Sequence, residues 1–169
     1  DPNHDSSEWS GFIKDEKLLV ERTLFADLTR QRIGWGFVSG AELPSAKFVL
    51  EQRLGLISAP LIAMGDAPEK PDPSGLISLS SKLSQQPLGI SNPPIAYIGD
   101  TVADVKTVLN ARIKIPDQQF ISLAISPPHL RLYSNREKRL RYEEELLNAG
   151  ADFILQSLKN LNNEIIKIL

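Results

Sequence analysis

Apolar and polar residues follow two periods along the chain. Short apolar runs bounded by Gly and Pro are typical of buried strands, and longer segments with helical spacing lie between them. The predicted strands cover residues 33–38, 61–64, 95–98, 120–124 and 152–155. The predicted helices cover residues 16–30, 44–54, 74–83, about three turns after 101, the segment from 134 to 150, and 162–169. This alternation predicts helices packed on a parallel α/β sheet.

Polar and glycine residues mark the ends of several predicted helices. Asp15 is suited to cap the first helix, and Ser134 with Glu137 three residues later has the pattern of a capping box. Gly55 follows the end of the second helix and Gly150 ends the helix that starts near Ser134, and a residue without a side chain is favoured at both positions. These residues indicate where the predicted helices start and end.

Composition narrows the class of protein. A chain of 169 residues with 41% hydrophobic residues is about one domain with a real core. The 19 Lys and Arg residues nearly balance the 21 Asp and Glu residues, so neither nucleic acid nor a membrane surface is an expected partner. A small molecule is the expected partner instead.

Cysteine and histidine usage limits the metal chemistry. The chain has no cysteine and only two histidines, so any metal must be held by oxygen ligands. No apolar run is long enough to cross a membrane, and a cytoplasmic location is expected. The sequence begins at Asp1 rather than Met, so an organelle lumen reached after removal of a transit peptide stays open.

The residues just after the predicted strands carry the candidate chemistry, because open parallel sheets bind ligands beyond the carboxyl ends of their strands. Ser39 and Gly40 follow the first strand, where a hydroxyl and a backbone amide can both donate to an anionic oxygen. Lys70 follows the second strand, and the next residue, Pro71, restrains the backbone that presents its ammonium group. The alternatives are a turn serine and a surface lysine.

Two carboxylates follow the third strand. Asp100 ends the strand and Asp104 lies in the first turn of the next helix, so the two can converge on one point. Converging carboxylates repel each other and require a cation, and Mg²⁺ accepts one or two carboxylates together with phosphate oxygens and water. The alternative is that both acids stabilise the start of the helix.

The three signals occur in order on successive strand ends, and in this combination the sequence resembles the haloacid dehalogenase superfamily of phosphatases and phosphotransferases. The segment 33–39 matches its second motif, Lys70 in Lys-Pro-Asp-Pro matches its third, and the string from 99 to 104 matches its fourth. The likeness covers about residues 35–112 and is nearest to phosphoglycolate phosphatase-like members and sugar-phosphate mutases. It implies a three-layer, Rossmann-like parallel sheet.

The sequence departs from the superfamily at the first motif, an Asp-x-Asp whose first aspartate attacks phosphorus. No Asp-x-Asp occurs in this chain. The resemblance implies that the central strand carrying it is missing, between the strands at 33–38 and 95–98, and is expected before Asp1 or on a separate fragment. Residues 1–30 are then predicted to return from a missing cap region, and 31–169 to form an incomplete core domain.

The resemblance also implies a mechanism. A Mg²⁺-dependent phosphatase would hydrolyse a small phosphorylated metabolite through an aspartyl-phosphate, with the metal at Asp100 or Asp104, Lys70 screening charge, and Ser39 with Gly40 holding a phosphoryl oxygen. The complete protein is expected to be active and this chain alone inactive. A non-catalytic binding module and a sugar-phosphate mutase stay open. A nucleotide-binding domain is disfavoured because the sequence has no glycine-rich phosphate loop.

Overall fold

A computed structural model describes residues 20–159 and residue 161 of the chain. The elements alternate as predicted. The helices are α1 (Arg22–Arg30), α2 (Leu43–Lys47, continued by a π-helix at Phe48–Arg53), α3 (Ser74–Ser84), α4 (Val102–Lys114) and α5 (Arg136–Asn148). The strands are β1 (Phe37–Val38), β2 (Leu61–Ile62), β3 (Ile95–Gly99), β4 (Phe120–Ile125) and β5 (Phe153–Leu155). The predicted cap Asp15 and the predicted helix at 162–169 lie outside the described residues.

The described strands form two parallel sheets. β1 pairs with β2, and β3, β4 and β5 pair in that order, with Gly99 opposite Ala124 in the β3–β4 ladder. β1 and β3 are not paired with each other among the described strands. The chain therefore has the predicted α/β architecture with parallel pairing. The separation of its two sheets agrees with a central strand missing between β1 and β3.

The first sheet is shorter than predicted because its strands lose their pairing partners. Residues 33–36 are not strand. Pro60, just before β2, lies opposite the last of them and has no amide hydrogen to extend the ladder. β2 ends at Ile62, and the Met64 amide donates to the Ala41 carbonyl at 3.0 Å instead of continuing the ladder. Each sheet nevertheless keeps its carboxyl ends on one side.

Two helix starts differ from their predictions. α1 begins at Arg22 rather than at 16, because Glu21 has an extended backbone. α5 begins at Arg136, and the capping box predicted at Ser134 does not form, since residues 133–135 make a 3₁₀ turn. Asn135 precedes α5, and its side chain donates to the carbonyl of His129 rather than capping the helix. The predicted terminators at Gly55 and Gly150 both have positive φ angles, as expected.

Buried apolar residues surround both sheets. One cluster joins α1 to the π-helix and β2, and another joins β4 to β5; the half-buried Val20 and Leu24 pack against both clusters. α4 lies between α3 and β4, and its Val108 and Ala111 are fully buried. This packing holds the two sheets side by side with the candidate site residues at their strand ends.

Candidate active site

A cleft opens where the carboxyl ends of β1 and β2 face the first turn of α4. Its volume is about 370 Å³. Its lining includes Ser39 and Gly40 from the turn after β1, Lys70 from the loop after β2, and Thr101 at the start of α4. Three of the five residues predicted to bind ligand therefore share one cavity. The remaining two, Asp100 and Asp104, lie beside it around Thr101.

Asp104 is a buried hydrogen-bond acceptor that joins these turns. Its Oδ1 accepts from Lys70 Nζ at 2.5 Å and from the Tyr97 hydroxyl at 3.2 Å. Its Oδ2 accepts from the amides of Asp100 and Thr101 at 3.2 and 3.0 Å and from the Thr101 hydroxyl at 2.8 Å. The Thr101 hydroxyl in turn accepts from the Asp104 amide, which completes a capping box at the start of α4. The carboxylate is therefore committed to contacts within the protein.

The Asp104 side chain lies directly against the backbone of Gly99. A Cβ placed on Gly99 would be 2.3 Å from the Asp104 Cβ and 2.5 Å from its Cγ. These distances are far below any normal carbon contact, so the end of β3 requires glycine at this position. The Gly-Asp-Thr string is thus explained by packing as well as by chemistry.

Lys70 is held by the fold rather than solvated. Its ammonium forms an ion pair with Asp104, and the Tyr97 hydroxyl lies 3.5 Å from Nζ. The loop that carries it is fixed by Asn110 of α4, which donates to the carbonyl of Pro71 at 2.9 Å. An ammonium group has three donors. Because Lys70 also lines the cleft, a donor is left for an anionic ligand there.

Asp72, in the same loop as Lys70, accepts a hydrogen bond at the start of α3. Its carboxylate accepts from the amide of Ser74 at 2.8 Å, at the start of α3. The Ser74 hydroxyl, followed by the Ser74 amide, lowers the pKa of the Asp72 carboxyl by hydrogen bonding. The Asp72 hydrogen bond and the Lys70 ion pair therefore form in the same loop, and Lys70 still lines the cleft.

Ser39 and Gly40 form an open turn. The Ser39 amide continues the ladder to Ile62, and its Oγ accepts from the amide of Ala41 at 3.1 Å. Accepting this bond leaves the hydroxyl hydrogen of Ser39 able to donate elsewhere. A Cβ on Gly40 would meet no atom within 4 Å, so the turn is exposed to the cleft rather than packed.

The backbone of Asp100 is held on both sides. Its amide donates to Asp104, and its carbonyl accepts a hydrogen bond from the hydroxyl of Tyr142 in α5. Asp100 is half-buried at the end of β3. The carboxylate is thus attached to a backbone segment whose position is set by two neighbouring elements.

The electrostatics of the site favour ionised carboxylates beside neutral tyrosines. Burial raises the pKa of Asp104, but the hydrogen bond and charge of Lys70, with the bonds from Thr101, outweigh it and lower the pKa. Burial and the negative charge of Asp104 raise the pKa of Tyr97. Burial, followed by the charges of Asp100 and Asp104, raises the pKa of Tyr142. Both phenols are therefore hydrogen-bond donors at neutral pH.

Sequence reasoning missed the two tyrosines. Tyr97 lies inside β3, two residues before the strand end, and its side chain had no visible partner in the sequence. Tyr142 is separated from Asp100 by 42 residues. For Tyr97 the available signal was position, because residues two apart on a strand point to the same face. No sequence signal identified Tyr142.

The donor set fits Mg²⁺ in its usual minimal form. No group of three acidic, histidine or cysteine side chains able to hold a metal occurs among residues 20–159 and 161. Asp104 accepts hydrogen bonds from Lys70 and Thr101, and Asp100, half-buried at the end of β3, is the second carboxylate of the pair. One or two carboxylates with substrate oxygens and water are what Mg²⁺ usually takes.

The sequence matches no protein-family model and no curated protein. Solved structures are similar in fold. A phosphonoacetaldehyde hydrolase-like protein from Oleispira antarctica has a TM-score of 0.68 and 18% identity, over 87% of this chain and 55% of that one. A protein assigned as a haloacid dehalogenase-like hydrolase from Bacteroides fragilis has a TM-score of 0.54 and 20% identity, over 82% of this chain and 56% of that one.

These likenesses establish the fold. The chain is a mixed α/β protein of the Rossmann-like type found in haloacid dehalogenase-like structures. It spans just over half the length of the two matching chains. Within the described residues, no helix combines the length and the apolar character needed to cross a membrane.

Proposed function

We propose that the protein is a Mg²⁺-dependent phosphatase of the haloacid dehalogenase type that hydrolyses a small phosphomonoester. The observation that carries the proposal is the Lys70–Asp104 ion pair beside a cleft that Lys70 shares with Ser39 and Gly40. The cavity contains an ammonium, a hydroxyl and an unpacked backbone turn. These groups suit the three oxygens of a phosphoryl group. Asp100 precedes Thr101, which lines this cavity, and would hold a metal that stabilises negative charge there.

Each residue has a distinct role in this proposal. Ser39 and the Gly40 amide hold a phosphoryl oxygen, and Lys70 offsets the repulsion between the phosphate and an attacking carboxylate. Asp100 would hold Mg²⁺, which when bound supplies charge stabilisation at the transferring phosphoryl group. Asp104 acts through Lys70 by fixing the position of its ammonium group.

The nucleophile is proposed to come from outside the sequence given, on a strand placed between β1 and β3. The lack of pairing between β1 and β3 among the described strands supports this position, because the carboxyl end of a strand between them would lie near Ser39 and Asp100. Its carboxylate would attack phosphorus as the bond to the ester oxygen breaks and that oxygen takes a proton. Water would then release inorganic phosphate and regenerate the carboxylate.

Substitution of Asp100 tests the proposal. In the intact protein, Asp100→Asn should lower Mg²⁺-dependent kcat/KM for p-nitrophenyl phosphate by about 100-fold or more, because loss of a metal is worth several kcal/mol. Asp117→Asn is the matched control, since Asp117 is an exposed acid in the turn before β4. Equal activity of the Asp100 variant and the wild type would refute the metal assignment.

A second candidate, the non-catalytic binding module, is favoured by one observation. The chain contains no Asp-x-Asp, so its own residues do not supply the nucleophile. The two candidates differ in turnover. An intact protein that binds phosphate esters in the presence of Mg²⁺ but hydrolyses none of a broad panel would identify the binding module.

A further inference from the structure

Tyr142 lies on a different element from every residue assigned a role above. It belongs to α5, and its hydroxyl donates to the backbone carbonyl of Asp100 at the end of β3. The opposite side of the same residue is held by Asp104, which accepts from the Asp100 amide at 3.2 Å. Asp100 is therefore held between two side chains from two helices.

We propose that Tyr142 is a positioning residue for the Asp100 carboxylate: its hydroxyl fixes the Asp100 backbone from α5, so that the carboxylate is presented to a divalent cation in one orientation. The inference rests on the function proposed above. Groups that hold a metal ligand in place from outside the coordination sphere change metal affinity by about 10–100-fold when removed. Tyr142 is suited to that role because it contacts the ligand residue without competing for its carboxylate.

The position of Tyr142 is itself fixed. Its ring packs against a buried cluster that contains Val105, Ala124 and Leu146. The next residue, Glu143, accepts a buried hydrogen bond from the Ser126 hydroxyl at 2.6 Å, which joins α5 to the end of β4. The hydroxyl of Tyr142 is therefore carried by a helix anchored to the sheet, and not by a mobile loop.

The surrounding charge keeps Tyr142 a donor. Burial raises its pKa, and the carboxylates of Asp100, Asp104 and Glu145 raise it further. A neutral phenol donates its hydrogen bond to the Asp100 carbonyl, whereas a phenolate would repel it.

The test is Mn²⁺ binding to the intact protein, measured by electron paramagnetic resonance of free Mn²⁺, with Mg²⁺ affinity measured by competition. Tyr142→Phe keeps the ring and removes the hydroxyl. We expect the dissociation constants for both ions to rise by about 10-fold. The Mg²⁺ concentration for half-maximal turnover should rise equally, whereas kcat at saturating Mg²⁺ should change less.

Two further variants separate the hydroxyl from the fold. Tyr133→Phe is the matched control, because Tyr133 is 93% exposed, and its metal affinity should equal that of the wild type. Tyr142→Met, a flexible side chain that can repack, should show the same loss of affinity as Tyr142→Phe. Agreement between the two substitutions assigns the effect to the hydroxyl.

The outcomes distinguish this inference from the proposed function. If Asp100→Asn loses Mn²⁺ binding and Tyr142→Phe binds like the wild type, the metal assignment stands and the role of Tyr142 is wrong. A lower Tm for Tyr142→Phe with unchanged affinity likewise reduces Tyr142 to a packing residue. If the wild type binds no Mn²⁺, or Asp100→Asn binds it equally well, the proposed function fails and this inference fails with it.

Discussion

Asp104 is a buried carboxylate that joins three segments of the chain. Its two oxygens accept from the loop after β2, from β3 and from the first turn of α4, through Lys70, Tyr97 and Thr101. All three donors form hydrogen bonds to the same side chain. The three segments are therefore held in position relative to one another. The charge of Lys70 makes burial of the carboxylate favourable, because an unpaired buried carboxylate would be costly.

The tight contact between Gly99 and Asp104 leads to a prediction at the scale of one residue. Gly99→Ala should lower the free energy of unfolding by about 1–3 kcal/mol, because the new Cβ would lie 2.3 Å from the Asp104 Cβ. Urea unfolding of the intact protein measures the loss. Gly34→Ala is the control, since its nearest side-chain atom, the Leu83 Cβ, is 3.6 Å away. Equal stability of both variants would show that the Asp104 contact is not required.

At the residue scale the sequence predicted the local part of the site. Ser39 and Asp100 were candidates because each directly follows a strand, and Lys70 was a candidate because it lies in the loop after β2. The sequence did not predict which of Asp100 and Asp104 would contact Lys70 and Thr101, because that depends on tertiary packing. Tyr142 was not predictable at all, since its contact with Asp100 depends on how α5 packs on the sheet.

At the scale of elements, α5 connects the ends of two strands. Tyr142 contacts the end of β3, and Glu143 contacts Ser126 just beyond β4. Ser126 is fully buried and Glu143 is 7% exposed, with Arg139 Nε 3.7 Å from the same carboxylate oxygen. The adjacent positions of Tyr142 and Glu143 let one helical turn hold both strand ends.

Ser126 tests this connection. Ser126→Ala should lower the free energy of unfolding by about 1–3 kcal/mol, because the buried Glu143 carboxylate loses a donor at 2.6 Å. Ser78→Ala is the control, because Ser78 is exposed on α3 and its replacement should change stability by less than about 0.5 kcal/mol. Chemical denaturation compares the two. An unchanged stability of Ser126→Ala would show that Glu143 finds another donor.

The order of elements was predictable, and their exact boundaries were not. Periodicity located every described strand and α-helix, because apolar spacing reflects which face is buried. Two boundaries that were wrong depended on residues outside the predicted element: Pro60 shortens the first strand, and the His129 carbonyl takes the Asn135 side chain that could have capped α5. Such competition between local and tertiary hydrogen bonds is not visible in a helix-capping pattern.

At the scale of the whole molecule, the two sheets differ in how well they are supported. All six residues of β4 are buried, and both of its edges are paired, to β3 and to β5. β1 and β2 have two residues each, and both residues of β1 are only half-buried. Leu24 of α1 and Val20, just before α1, pack against the clusters beside both sheets, so this segment connects the less supported sheet to the better supported one.

This asymmetry predicts an order of local opening. Amide hydrogen exchange followed by mass spectrometry should show that the β4 peptide exchanges at least about 100-fold more slowly than the peptide spanning residues 37–39. The reason is that β4 opens only when pairing on both sides is lost, whereas β1 is paired with β2 over two residues. A strand added between β1 and β3 would slow amide exchange in β1 and β3 and leave the exchange rate of β4 unchanged. Equal protection of β1 and β4 before any strand is added would contradict the assignment of two unequally supported sheets.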